Sequence, residues 1–443
     1  MVNYRRLFIR KAPRVLGLWW SFGCQHLILV LCVVAAFTCA VTTNAVAAAL
    51  SQGMVTAWGS NDYGQSTVPD RLEDVTMIAA GNNHSLALKA DGTVVAWGND
   101  NFGQTVIPAG LKDVKAIAAG GGYNLALRTD GTVVAWGSNG SGQRDIPDGL
   151  TDVKAIAAGD GHSLALRTDG TVVAWGSNKY GQRNIPDGLT DVKAIAAGRN
   201  HSIALKTNGT VVAWGDDIDG QSTVPDGLED VAAIAAGSFH SLALKSNGMV
   251  VAWGSNNSGE RTVPAAALMG VKAIAAGGAS SLALKTDGTI VEWGSNLFGA
   301  RVVPGGLTRV IAIAAGSFHS LAATLTYTFS GFLPPVNNPD VVNLGKVGRT
   351  YPIKWQLKDA DGNFVTSLAA IKSITFKPVQ CGAFTSAQAG ALEAETSGRS
   401  GLGYDDISNQ YQYNWATPSA GCYVLFLSLD TGQVRQAYFN FRN

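Results

Sequence analysis

A short phrase, Ala-Trp-Gly or a near variant, recurs along the chain and places tryptophans at Trp58, Trp97, Trp136, Trp175, Trp214, Trp253 and Trp293. Successive tryptophans lie 39 residues apart five times and 40 apart once. A second phrase, Ala-Ile-Ala-Ala-Gly or a near variant, ends at Gly81, Gly120, Gly159, Gly198, Gly237, Gly277 and Gly316. A fixed period of this length means one supersecondary unit repeated, each copy burying its apolar surface against the next. No window carries apolar residues at i, i+3, i+4 and i+7 over a dozen positions, so the unit is not helical.

One unit reads as four antiparallel strands. Residues 153–159 form strand A and residues 162–167 strand B. The Asp169-Gly170 pair is a strong hairpin signal into strand C, 171–176. A short strand D is expected near 182–185, after which Pro186-Asp187-Gly188 turns the chain toward the next unit. Four short strands per unit describe a propeller blade. The array opens with a C strand at 54–59 and ends with A and B strands at 310–325, so its two ends complete one another. Six continuous blades and one split blade make seven, and the split blade hides the edge strands. The small Ala-Ala-Gly residues suit innermost strands converging on an axis. The large, β-prone tryptophan suits the wider outer part.

The pattern stops after Leu325. Residues 327–443 alternate apolar and polar positions in short runs (351–357, 373–379, 422–429 and 436–441) separated by turn signals such as Asp361-Gly362 and Thr431-Gly432. That reads as an antiparallel β-sandwich. The expected fold class is therefore all-β: a seven-bladed β-propeller with split-blade closure over 48–326, followed by the sandwich over 327–443.

Residues 1–47 read as an export signal. Arg5, Arg6, Arg10, Lys11 and Arg14 precede an apolar run at 27–41, and Ala45-Val46-Ala47 supplies the small-x-small pattern that signal peptidase cuts after. An uncleaved membrane anchor is the competing reading, helped by the apolar stretch at 15–20. Cleavage removes five of the 33 basic residues and none of the 32 acidic ones, leaving a net charge of −4. No basic run survives, which argues against nucleic-acid binding. Cys24, Cys32 and Cys39 leave with the signal, so Cys381 and Cys422 remain. A lone pair in an exported domain reads as a disulfide rather than a metal site. Closing that loop is worth roughly 4 kcal/mol on the chain-entropy model.

The repeats closely resemble the regulator of chromosome condensation family in its compact bacterial form, over about residues 54–325, including exported propellers that inhibit β-lactamases. The resemblance implies a seven-bladed propeller with this kind of closure. It does not imply one activity, since family members act as exchange factors, receptors and enzyme inhibitors. Residues 327–443 resemble the PxKF-type domain of bacterial surface and secreted proteins, through Phe332, Pro335, Lys346, Pro352, Lys354, Trp415, Cys422, Gly432 and Phe439 among others. Trp355 stands where that motif has Phe.

Little in the sequence suggests catalysis. His84, His162, His201, His240 and His319 are the histidines left after signal removal, and all occupy the position just before strand B. Tyr123 and Ser280 take that position in the other two repeats. A general base or a zinc ligand is needed once, among unlike neighbours, so a residue recurring with the blade is read as structural, its ring nitrogen bonded to backbone. Gln65, Gln104, Gln143, Gln182 and Gln221 recur likewise, with Glu260 and Ala300 breaking the series. Residues 215–220 are acidic enough to suggest calcium but lack the further spaced oxygen ligands of a known loop. No phosphate loop or nucleophile elbow is present, and no cofactor is expected.

Strand alternation places the A–B loops and the loops after strand C on one face, and the B–C turns and inter-repeat links on the other. The second face is monotonous. The first varies from repeat to repeat and carries Tyr63, Phe102, Tyr180, Phe239, Phe298 and Phe318, with Arg199 beside them. Aromatic and Arg side chains anchor protein interfaces; the bland alternative is that these rings fold down as a lid over the core. The sequence thus predicts a secreted or surface-attached, non-enzymatic module that binds a protein partner on this face, with a glycan as the other candidate ligand. An enzyme inhibitor and a nucleotide-exchange factor are the narrower alternatives, the second disfavoured by export.

Overall fold

The computed structural model describes residues 53–442 with short gaps, the longest at 337–341, 382–394 and 397–401. Ahead of residue 53 only the backbone of Val41–Thr42 and Ala45–Val46 is described. The rest of the expected signal, with its cleavage bond after Ala47, lies outside the described residues. No helix among them is long and apolar enough to cross a membrane.

Residues 53–325 form seven three-stranded antiparallel sheets. In a typical one, Val153–Ala158 pairs with His162–Arg167, which pairs with Val172–Gly176. The seventh joins the two ends of the array, with Gly53–Gly59 running against His319–Leu325 and Ser320 opposite Trp58. Consecutive sheets share their cores. Ala157, Leu164 and Leu166 of one pack on Val192, Ile195, Ala204 and Trp214 of the next. The seventh and first sheets do the same through Val55, Ala312 and Leu321 against Val75, Ile78 and Trp97. Each fully buried Leu or Ile contributes about 1.5–3 kcal/mol, repeated at every junction.

Among the described residues the expected fourth strand is absent. Residues 182–183 lie in a turn and 184–185 in irregular backbone, with the Gly181 amide donating to Asn178 O and the Asn184 amide to Gly181 O. The reason is local. Asn178 Oδ1 takes the Arg183 amide, and Gln182 Oε1 takes the Tyr180 amide. These backbone groups are committed within the loop and cannot pair with a strand. Even so, the loops sort as alternation requires. On one face the Ser177 amide, just after strand C, donates to Gly161 O of the A–B loop at 2.8 Å. On the other, the Thr168 amide of the B–C turn donates to Asp152 O, at the start of strand A, also at 2.8 Å.

Residues 327–442 form a four-stranded and a five-stranded sheet around a common core rich in aromatics, among them Trp355, Tyr411, Trp415, Phe439 and Phe441. Pairing is antiparallel with one exception: Val342–Lys346 runs parallel to Val434–Arg442. The next strand, Thr350–Lys358, belongs to the other sheet, so Val342–Lys346 is not one arm of a hairpin. Cys381 and Cys422 are disulfide-bonded.

This domain meets the repeats on the face of the B–C turns. Within the domain, the Tyr327 amide donates to Gln433 Oε1 at 2.7 Å, and Gln433 Nε2 donates back to Tyr327 O. The Arg309 guanidinium lies 4.5 Å from the Tyr327 ring centre, and Arg435 Nη1 is 3.8 Å from Glu73 Oε1. The face carrying the variable loops is left clear of these contacts.

Candidate partner-binding face

The repeated polar residues form a buried belt. Ser163 Oγ donates to Gln143 O, and Trp175 Nε1 donates to the same carbonyl. The pattern recurs from repeat to repeat, as with Ser202 and Trp214 on Gln182 O. Each histidine then reaches the following sheet: His162 Nε2 lies 3.0 Å from Ser202 Oγ, His201 Nε2 3.0 Å from Ser241 Oγ, and His240 Nε2 2.9 Å from Ser281 Oγ. His319 Nε2 is 2.8 Å from Ser85 Oγ and His84 Nε2 2.7 Å from Asn124 Oδ1, across the ring closure and the first junction. The expectation of a bond to backbone is therefore corrected. The partner is a side chain of the next repeat, a pairing invisible until the sheets are stacked.

The bonding settles the tautomer. Ser85, Ser202 and Ser241 each spend their only proton on a glutamine carbonyl, and Asn124 turns its amide nitrogen to Gln104 O and its Oδ1 to the ring, so His84, His162, His201 and His319 donate from Nε2. All five rings are buried, and burial holds them neutral: it lowers the pKa of His84, His162 and His240 to about 4 and that of His201 and His319 to about 3. Gly159 has to be glycine, since a Cβ there would overlap both the His162 ring and the Gly198 carbonyl. This belt is architecture. Among the described residues no group of three or more His, Cys, Asp or Glu is placed to hold a metal ion. In the acidic loop, Asp217 accepts from the Ser222 amide and Thr223 Oγ1, so its oxygens serve the turn.

The variable face lies above the belt. Tyr63 and Phe102 are 51% and 62% exposed, too open for a core lid. Tyr180 and Phe318 are exposed as well, and Phe239 is half-buried. The backbone of Phe298 sits in a short turn, Leu297–Gly299, while its side chain lies outside the described residues. Gly122 lies against the Phe102 ring of the preceding repeat, which lets that ring lean over the next blade. Two aliphatic tips that a search for aromatics passes over, Ile218 and Leu297, also stand exposed here.

Inside the ring of tips the A–B loops enclose an axial funnel of about 350 Å³. Its walls are the alanines and glycines that end each strand A, and its mouth holds Asn82, Asp160, Arg199, Phe239, Ser317 and Phe318. Four of these form a chain. Ser317 Oγ donates to Asn82 Oδ1 at 2.7 Å, Asn82 Nδ2 donates to Asp160 Oδ1 at 2.7 Å, and Asp160 Oδ2 lies 3.7 Å from Arg199 Nε. The Arg199 guanidinium sits 5.2 Å from the Phe239 ring centre. Asp160 reaches Asn82 by crossing the intervening loop, where a Cβ on Gly121 would overlap its carboxylate. Sequence reading marks Asn82, Asp160 and Ser317 only as variable loop positions. Their partners lie 78 and 235 residues away, beyond any local signal.

Residues 75–104, 114–143, 153–182, 192–221 and 231–260 match the regulator of chromosome condensation (RCC1) repeat, so the chain carries five such repeats. No curated protein matches the chain. Among solved structures it resembles Prp20p from Saccharomyces cerevisiae, with a TM-score of 0.53 and 20% identity over 63% of this chain and 93% of that one. Prp20p binds Gsp1p and histones; yeast RCC1 (Prp20), equally similar, has been seen bound by Kap60. Human WBSCR16 matches with a TM-score of 0.51 and 19% identity, over 61% of this chain and all of that one. At such identity the likeness is one of fold: an RCC1-like repeat propeller.

Proposed function

We propose that this chain is an exported, non-enzymatic interaction protein: a closed seven-bladed propeller that binds a protein partner on the face of its A–B and post-C loops. One observation carries the reading. The exposed rings of Tyr63, Phe102, Tyr180 and Phe318 and the Arg199 head share a single face around a funnel, while the C-terminal domain contacts the other. Monomers rarely hold several large rings in water on one side unless something covers them. The protein partners of Prp20p are consistent with this use of the fold.

The two C-terminal sheets fit a PxKF-type sandwich as a second module, and the repeats fit the compact bacterial propellers that include β-lactamase inhibitors. Enzyme inhibition and nucleotide exchange are special cases of the same face, separated by the identity of the captured partner. Export is supported by the order of the first 47 residues. Mass spectrometry of the mature protein should show an N-terminus at Ala48, and an intact Met1 would sink the assignment.

The face is tested by capturing a partner from the native secretome and measuring its affinity for variants. Phe102→Ala, Tyr180→Ala and Phe239→Ala should each weaken binding, by about 2 kcal/mol or more at a true anchor. Lys89→Ala and Lys206→Ala, near the B–C turns, should leave it unchanged. Circular dichroism first confirms that each variant is folded. Binding lost in the second group and kept in the first reverses the face assignment.

A further inference from the structure

We infer that the axial funnel is an anchor pocket for one acidic side chain presented at the tip of a protein partner's loop, gripped by Arg199. The inference rests on the proposed binding face and names what that face recognises. Asp160 and Arg199 are the charged residues at the funnel wall, and their bonding differs. Both Asp160 oxygens are engaged, one by Asn82 and one by Arg199 Nε. Arg199 contacts Asp160 through Nε alone and lies against Phe239, and its side chain is half exposed. The two Nη groups, with four N–H donors between them, carry no bond among the described residues.

A guanidinium fork fixed on one edge and backed by a ring is pre-organised for a second, planar carboxylate on its other edge. Asp160 does not exclude that carboxylate. Its charge is shared with the Asn82 amide and the Nε edge, and the chain through Asn82 to Ser317 holds it in place. A cationic anchor fits worse, because it would have to displace Asn82 or Arg199 from Asp160. The occupant is a side chain on a protein loop rather than a free acid. The funnel narrows among alanines and glycines, while the apolar grip (Phe239, Phe318 and the surrounding tips) lies at and outside the mouth. An acidic residue flanked by apolar ones on a protruding turn meets both.

The probe is a displayed library of disulfide-closed hairpin peptides with randomised tips, selected on the immobilised full-length protein and, in parallel, on Arg199→Gln, Arg199→Lys and Phe102→Ala. Wild-type selection should enrich Asp or Glu at one tip position. A synthetic winner should bind at least about tenfold more tightly than its Gln or Asn counterpart. Arg199→Gln should abolish that preference, and Arg199→Lys should retain part of it, having the charge without the fork. Phe102→Ala should weaken winners without changing the acidic preference. Enrichment without an acidic position, or a preference that survives in Arg199→Gln, overturns the anchor while leaving the binding face intact. Failure to enrich any tip counts against both.

Discussion

At the scale of single residues, the five buried histidines make the propeller sensitive to acid. Each bonds through Nε2 to the next repeat, and burial keeps each neutral in the folded chain, with His84, His162 and His240 at about 4 and His201 and His319 at about 3. In the unfolded chain the same rings protonate near 6.5. The unfolded state therefore binds more protons below that value, and stability rises with pH across the interval. The contribution is complete above about 6.5 and is lost as the pH falls toward 4, at a cost on the order of 2 kcal/mol per histidine at pH 5. The turn carboxylates Asp91, Asp130, Asp169 and Asp287 are held below their ordinary value chiefly by bonds from the threonine two residues on. They act only in stronger acid, so the histidine effect stands alone between about pH 6.5 and 4.5. Thermal melts across that range should show the propeller transition dropping steadily. A flat profile would mean that the rings are charged, or solvated, in the native state.

At the scale of strands and loops, the informative junction is where the repeat breaks its own rule. At five junctions a glutamine carbonyl accepts both a tryptophan Nε1 and a Ser or Asn side chain of the following sheet, and at a sixth Glu260 O takes Trp293 Nε1. At the closing junction Ala300 stands at the glutamine position, and Glu292 replaces the alanine of Ala-Trp-Gly. There Glu292 supplies side-chain acceptors: Oε2 takes Trp58 Nε1 and Oε1 takes Ser320 Oγ, both at 2.9 Å. Glu292→Ala should cost roughly 1–3 kcal/mol. It should also speed amide hydrogen exchange in Gly53–Gly59 and His319–Leu325 more than in any other sheet. Exchange that rises evenly round the ring would show that the seam is no special point. Much of this level is legible in the sequence. The period gives the A, B and C strands, the Asp-Gly turns and the sorting of loops into two faces, because each depends on residues near in sequence. The missing D strand is not legible, since apolar Ile185 looks strand-like until Gln182 and Asn178 are seen to bond within the loop. Nor is the polar chain at the funnel, which joins Ser317, Asn82, Asp160 and Arg199 from four different repeats.

At the scale of the whole molecule, the two halves carry different chemistry and should answer to different perturbations. Residues 327–443 contain no histidine, and residues 48–326 contain no cysteine. Acid between pH 6.5 and 4.5 therefore acts on the propeller, while reduction acts on the C-terminal domain through Cys381–Cys422, whose ends lie 41 residues apart. Losing that bond frees the unfolded segment and should cost roughly 2–4 kcal/mol. The halves touch through Arg309 on Tyr327 and the Arg435–Glu73 ion pair. An exposed ion pair contributes about 0–1 kcal/mol, so these contacts orient the domain more than they couple its unfolding. Calorimetry of the mature protein at pH 7.5 should resolve two transitions, with reductant lowering one. Repeating the scan at pH 5 without reductant should lower the other. Limited proteolysis assigns them: after reduction, cleavage should begin within 327–443 while a fragment of about the length of 48–326 persists. A single transition moved by both treatments would show that the contacts bind the halves into one cooperative unit, and the separate-module description would fall.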